Sequence, residues 1–261
     1  MTADIELEVH SWSLADDLGY LGQQAVAVAA KATDYRIVGG HMVRLLLLAH
    51  PAKRAVQRTT VDADTAVNDV EVIGGIVERL VSQEFVQERG NVYTKAVDDE
   101  RKVEINLLLS RMGGASGIKP QNVDGVGQVD TLPELAFVLL HPALRMAVTA
   151  HLSTGETLTY TVLIPGLEEA FILKAHAWAA RGLQKDRDLA DMHTLLEIRE
   201  TYPDLPWRLN ERPLRGYRLD TARAVSSLSD RLQRRTSTMP VPKYLDRTRM
   251  TALLVKHVAK P

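Results

Sequence analysis

Two aspartates one residue apart, in the run Arg58-Thr59-Thr60-Val61-Asp62-Ala63-Asp64, are the side chains best placed to do chemistry. The alternation over 59–66 predicts a strand with Thr60, Asp62 and Asp64 on one face and Val61 and Ala63 on the other. Two carboxylates on one face offer hard oxygen ligands to Mg²⁺ or Mn²⁺, ions that bridge protein carboxylates to substrate phosphates. In phosphoryl transfer such an ion lines up the attacking hydroxyl and offsets charge in the transition state. Upstream, Gly39-Gly40 ends a short apolar strand, Tyr35 to Val38, and opens a helical stretch over 41–50. That turn lets backbone N–H groups come close to a phosphate. Glu104, on a further predicted strand, reads by itself as an exposed strand residue.

A second group lies far along the chain. Lys174 stands among Ala170, Phe171, Ile172, Leu173, Ala175 and Ala177. A charge among these residues is unusual, and a side chain that snorkels to solvent would account for it. Asp188 and Asp191 are three apart at a helix start, share a face and favour the helix N-terminus. His176 and His193 read as partly buried histidines without a chemical role.

These residues need a frame. Helices are predicted over 16–33, 41–50, 70–83, 167–181 and 189–201, and strands over 92–96, 102–109 and 157–164. The Gly-rich stretch 113–130 reads as a loop, and 131–150 as mixed, with Pro133 able to open a helix and Pro142 to interrupt one. Strands first and helices later imply an α+β protein, split at 1–166 and 167–261. The second region would complete the active site and carry a basic tail.

Composition limits the options. The 261 residues are 45% apolar and 25% charged, as in ordinary globular proteins. The absence of cysteine excludes disulfides, zinc–thiolate centres and thiol nucleophiles. The acidic start over 1–10 lacks the order of a signal peptide, and Leu45–Leu48 is too short to span a membrane. A cytoplasmic protein with no membrane partner is expected. Residues 207–261 hold 13 Lys/Arg against 4 Asp/Glu, a net of +9, so the other 206 residues carry −10 to give the chain's −1. Such a block fits either an anionic partner, RNA above all, or a solvated helix surface.

In this order the motifs resemble the AbiEii-type nucleotidyltransferase toxins, the MenT group included. That family has Gly-Gly followed by Thr/Ser-x-Asp-x-Asp, then a helical Lys and a basic-Asp-x-x-Asp-Leu element. Here these are Gly39-Gly40, Thr60-Val61-Asp62-Ala63-Asp64, Lys174 and Arg187-Asp188-Leu189-Ala190-Asp191, with Ile164-Pro165-Gly166 before Lys174. The resemblance spans about 35–198. His41 stands where the family has Ser, and Met192 where it has Leu.

The resemblance implies a nucleotidyltransferase-fold core with a mixed sheet and a mostly helical C-terminal region. Asp62 and Asp64 would be metal ligands, with Glu104 as the third. Asp62, Lys174 and Asp191 would be catalytic, while Gly39, Gly40, His41, Thr60, Lys174 and Asp188 would bind nucleotide. The implied reaction moves a nucleoside monophosphate from an NTP to an acceptor hydroxyl, such as a tRNA 3′ end. The implied setting is a toxin–antitoxin or phage-defence system with a cognate antitoxin. The same core could instead modify a small molecule or a protein, or bind nucleotide without turnover.

Overall fold

The computed structural model describes residues 4–31, 33–113, 117–181, 186–234 and 239–261. The chain forms two compact units, Met1–Ala49 with Arg58–Pro165, and His50–Gln57 with Gly166–Pro261. The connector 50–57, which lies inside the first region expected from the sequence (1–166), groups instead with the helical unit.

The first unit runs β1 (Ile5–His10), α1 (Leu14–Ala30), β2 (Tyr35–Ile37), α2 (Gly39–Ala49), β3 (Asp62–Val67) and α3 (Val70–Ser82). It continues with β4 (Val86–Arg89), β5 (Val92–Ala96), β6 (Lys102–Ser110), β7 (Lys119–Val123), β8 (Gly127–Leu132), α4 (Glu134–Leu140), β9 (Leu144–His151) and β10 (Thr157–Ile164). The second unit holds α5 (Leu167–Arg181), α6 (Asp186–Thr201), α7 (Tyr217–Gln233) and α8 (Arg247–His257). The class is α+β, with both sheets in the first unit.

The larger sheet runs β2-β3-β6-β5-β4, with β8 pairing β6 and β7 pairing β8; the smaller is β1-β9-β10. Both are mixed: β3 and β6 are parallel while β2 and β5 run against them. Helix α1 contacts β3 and β6 of the larger sheet and β10 of the smaller. Gly22 permits this, since a Cβ there would meet the Ala63 side chain at 3.0 Å and Val103 at 3.4 Å. Ser13 caps the helix, its side chain accepting from the Asp16 N–H at 3.3 Å.

Several expected boundaries shift. The predicted loop 113–130 contains the β7–β8 hairpin, because Gly125 and Gly127, at φ 74° and 93°, make its turn; residues 114–116 lie outside the described ones. The acidic start contains β1, whose Leu7 and Val9 are buried while Glu6, Glu8 and His10 face outward. Strand β3 begins only at Asp62, and before it Thr60 is buried while Val61 is 38% exposed, the reverse of the expected alternation. The segment 58–61 is a connection shaped by the glycines of α2.

A buried ion pair fastens α1 to α2. Arg44 grips Asp16 through both guanidinium nitrogens, one at 2.7 Å, with Asp16 fully buried. The guanidinium also lies 5.0 Å from the Tyr20 ring centroid and 5.5 Å from that of Trp12. Removing one partner strands a charge in the core. Asp16→Ala should therefore cost about 3–5 kcal/mol in urea unfolding, while Asp16→Leu combined with Arg44→Met restores most of it. A cost under about 1 kcal/mol for the single variant would show that the pair does not fasten the helices.

Candidate active site

The parallel register sets Asp62 opposite Glu104 and Asp64 opposite Asn106. Directly opposed residues on parallel strands share a face, so four polar side chains line one patch of sheet. Ala63 and Ile105, on the other face, are fully buried. The two aspartates differ sharply in environment. Asp62 is exposed, whereas Asp64 is half-buried and accepts from the Asn106 side-chain amide at 3.0 Å. Asn106 is itself gripped by the Asn91 amide, so an Asn91–Asn106–Asp64 relay fixes this carboxylate.

Helix α2 begins against that carboxylate. The N–H of Val38 donates to the Asp64 carbonyl at 2.9 Å. Gly39 has φ 68°, and a Cβ on it would lie 2.1 Å from Asp64 Oδ2; one on Gly40 would lie 2.1 Å from Thr60 Oγ1 and 2.9 Å from Arg58 Nη2. A side chain at either position would have to displace Asp64 or Thr60. The helix N-terminus, with its partial positive charge and unpaired amides, is thereby brought beside Arg58 and the β3 carboxylates. Arg58 donates to Thr60 Oγ1 at 3.2 Å and supplies a cation that the spacing of the motif does not single out. Its position at the head of the Arg-Thr-Thr-Val-Asp-Ala-Asp run was the available signal.

The predicted site residues are not all brought together. Gly39, Gly40, Thr60, Asp62 and Asp64 converge. His41 does not: it turns inward, 1% exposed, with Nδ1 2.9 Å from the Gln23 amide nitrogen. Gly19 of α1 leaves room for the ring, since a Cβ there would sit 2.3 Å from it. Its helical position two residues into α2 points this side chain at α1, so only its backbone N–H belongs to the helix end. Glu104 is next to Asp62, yet it does not join both aspartates in one tight cluster. Among the described residues, the group of three metal-binding side chains with all ligand atoms within 4.8 Å is instead Glu8, His10 and His151. A hard ion on β3 would rest on Asp62 and Asp64, and this donor set fits Mg²⁺, which takes one or two carboxylates and fills its shell with water and phosphate.

The remaining predicted residues lie in the second unit. Lys174 of α5 is buried, its Nζ 2.6 Å from Asp191 and 3.6 Å from Asp188 of α6. Helix α6 starts at Asp186, earlier than expected, so Asp188 and Asp191 lie within its opening turns on one face. Residues 182–185 lie outside the described residues. Two more buried acids are matched in this unit. Glu168 pairs with Arg218 at 2.5 Å and accepts from the Leu209 N–H at 3.1 Å. Glu197 takes both guanidinium nitrogens of Arg249 at 2.9 Å and lies 3.3 Å from His193. The basic block over 207–261 is thus partly internal, while Arg223, Arg231 and Arg234 of α7 and its end stay exposed; Arg235 lies outside the described residues. No helix among the described residues is long and apolar enough to cross a membrane.

No family model matches the chain, and no curated protein matches it.

Two consequences can be measured. Burial, reinforced by Arg44 and Arg58, holds the His41 imidazole at a pKa of about 3 against its usual 6.5. Below the unfolded value the unfolded chain takes up a proton that the folded chain refuses, so stability is complete above that value and falls as the pH drops toward about 3. Between about pH 7 and about pH 5 this residue should remove about 2 kcal/mol of stability, and His41→Gln should flatten the profile by that amount in urea titrations. An unchanged slope would show that the ring ionises freely. In the second unit, Lys174→Met should cost about 3–5 kcal/mol by removing a buried cation from beside two buried carboxylates. Adding Asp191→Asn should recover part of it, and an unmoved unfolding midpoint for Lys174→Met would disprove the coupling.

Proposed function

We propose that this protein is a metal-dependent nucleotidyltransferase of the AbiEii type, acting as a toxin that transfers a nucleoside monophosphate from an NTP to the tRNA 3′ end. The observation that carries this reading is the meeting of three features on one unit. They are the Asp62–Asp64 pair, the N-terminus of α2 opened by Gly39-Gly40, and the Arg58 guanidinium at Gly40.

The α2 amides and Arg58 bind the triphosphate, by dipole and by charge. Asn106 holds Asp64 in a fixed orientation, while exposed Asp62 is available to ligand. A bound Mg²⁺ on Asp62 and Asp64 would neutralise phosphate charge and orient the acceptor hydroxyl. Thr60, locked under Gly40, positions the backbone leading into Asp62 and so acts through placement. In the second unit, Lys174 with Asp188 and Asp191 matches the second family motif, and exposed Arg223, Arg231 and Arg234 provide positive charge for RNA phosphates.

Purified protein incubated with Mg²⁺, total tRNA and each labelled NTP in turn tests donor and acceptor together. The wild type should label tRNA with at least one nucleotide. Asp62→Asn should label it about 10³-fold more slowly with its fold intact, since Asp62 is solvent-exposed. Full labelling by Asp62→Asn, or none by the wild type with any NTP, would refute the reading.

A further inference from the structure

A second cluster of ligating side chains stands on the smaller sheet of the first unit, and it does not depend on the reaction proposed above. Strands β1 and β9 are parallel, with His10 opposite His151. The period of two along β1 puts Glu8 on the same outward face as His10, because Leu7 and Val9 between them are buried. The ligand atoms of Glu8, His10 and His151 all fall within 4.8 Å of one another. The two imidazoles stack with centroids 4.6 Å apart, and Glu8 Oε1 lies 3.0 Å from His151 Nε2. The other nitrogen of His151, Nδ1, is 3.1 Å from Thr157 Oγ1 on β10.

We infer that Glu8, His10 and His151 bind a divalent transition-metal ion of the zinc type on the outer face of the β1-β9-β10 sheet. The donors decide the class. Two imidazoles and one carboxylate suit Zn²⁺, whereas Mg²⁺ and Ca²⁺ take oxygen ligands. Three protein ligands leave a fourth position for water on an open surface. The Thr157 hydroxyl serves both states of His151, because it can donate to Nδ1 or accept from it. Without the ion, Nε2 carries the proton and bonds Glu8. With the ion, the proton sits on Nδ1, bonds Thr157, and leaves the Nε2 lone pair for the metal. The imidazoles turn edge-on toward the ion, a movement that exposed side chains make within nanoseconds. The ion then ties edge strand β1 to β9, joining Glu8 to His151 across 143 residues of sequence.

Calorimetric titration of the untagged full chain with ZnCl₂ tests this. The wild type should take up Zn²⁺ at this site, and excess MgCl₂ should not displace it. His10→Ala and His151→Ala should each weaken the binding by more than about tenfold, the loss that removal of even an outer partner brings. Zn²⁺ should raise the melting temperature of the wild type and leave that of His151→Ala unmoved. Asp62→Asn should bind Zn²⁺ as the wild type does, which separates this site from the β3 carboxylates. The proposal is overturned if the wild type takes up no Zn²⁺, if both histidine variants bind it equally well, or if only Asp62→Asn loses it.

Discussion

The chain passes Gly39 against Asp64 of β3 and Gly40 against Thr60 just before it, so closely that an added side chain would have to displace them, and much of the first unit follows from that contact. A Cβ on either glycine would lie 2.1 Å from an oxygen of Asp64 or Thr60. Because α2 starts there, Arg44 reaches the buried Asp16 of α1 and His41 lands under Gly19. Between α1 and α2, Arg44 pairs with Asp16 and His41 Nδ1 meets the Gln23 amide, while His41 Nε2, Arg44 Nε and the Tyr20 hydroxyl are buried without a hydrogen-bond partner among the described residues. The same contact points the helix dipole at the Asp62–Asp64 patch. Fold and site share one constraint, so a larger residue at Gly39 or Gly40 would disturb both.

In the second unit the constraint is electrostatic. Three buried acidic groups, the Asp188–Asp191 pair, Glu168 and Glu197, are matched by Lys174, Arg218 and Arg249. Two of those cations come from the basic C-terminal block. The charge asymmetry along the chain is therefore partly the separation in sequence of partners that meet in space. Such pairs add little stability over an apolar packing of the same shape, but removing one member is costly. What they secure is register: α7 and α8 can close on α5 and α6 only where each carboxylate finds its guanidinium.

Local periodicity revealed the elements whose signal is local. Helices α1, α2, α3 and α5, the β5–β6 pair and β10 were legible because each combines a clear period with Gly, Pro or charged boundaries. Strand β1 was hidden because its short apolar face, Ile5, Leu7 and Val9, alternates with acidic residues that give the segment a polar look. The β7–β8 hairpin was hidden because its strands are polar and its glycines look like loop. At the site, the Asp62–Asp64 spacing and the Gly-Gly turn were visible as patterns. The role of Asn106 was not, since it depends on which strand lies beside β3. His41 was misplaced for a related reason: a residue following Gly-Gly has no orientation until the helix phase and its neighbour α1 are known.

The unequal environments of Asp62 and Asp64 bear directly on how such a pair would handle an ion. Asp64 is held by Asn106 and lies against Gly39, so its geometry is fixed before any ligand arrives. Asp62 is solvent-exposed, so its carboxylate can adjust. A fixed ligand supplies position at no ordering cost on binding, and a mobile one accommodates an ion that keeps its waters and bridges to phosphate. Two rigid, buried carboxylates would repel each other strongly without the ion and would resist a change of ligands during turnover. The outer face of the small sheet offers the opposite chemistry, with two nitrogen donors beside one carboxylate. Donor type alone would therefore direct a hard ion to β3 and a softer one to β1 and β9.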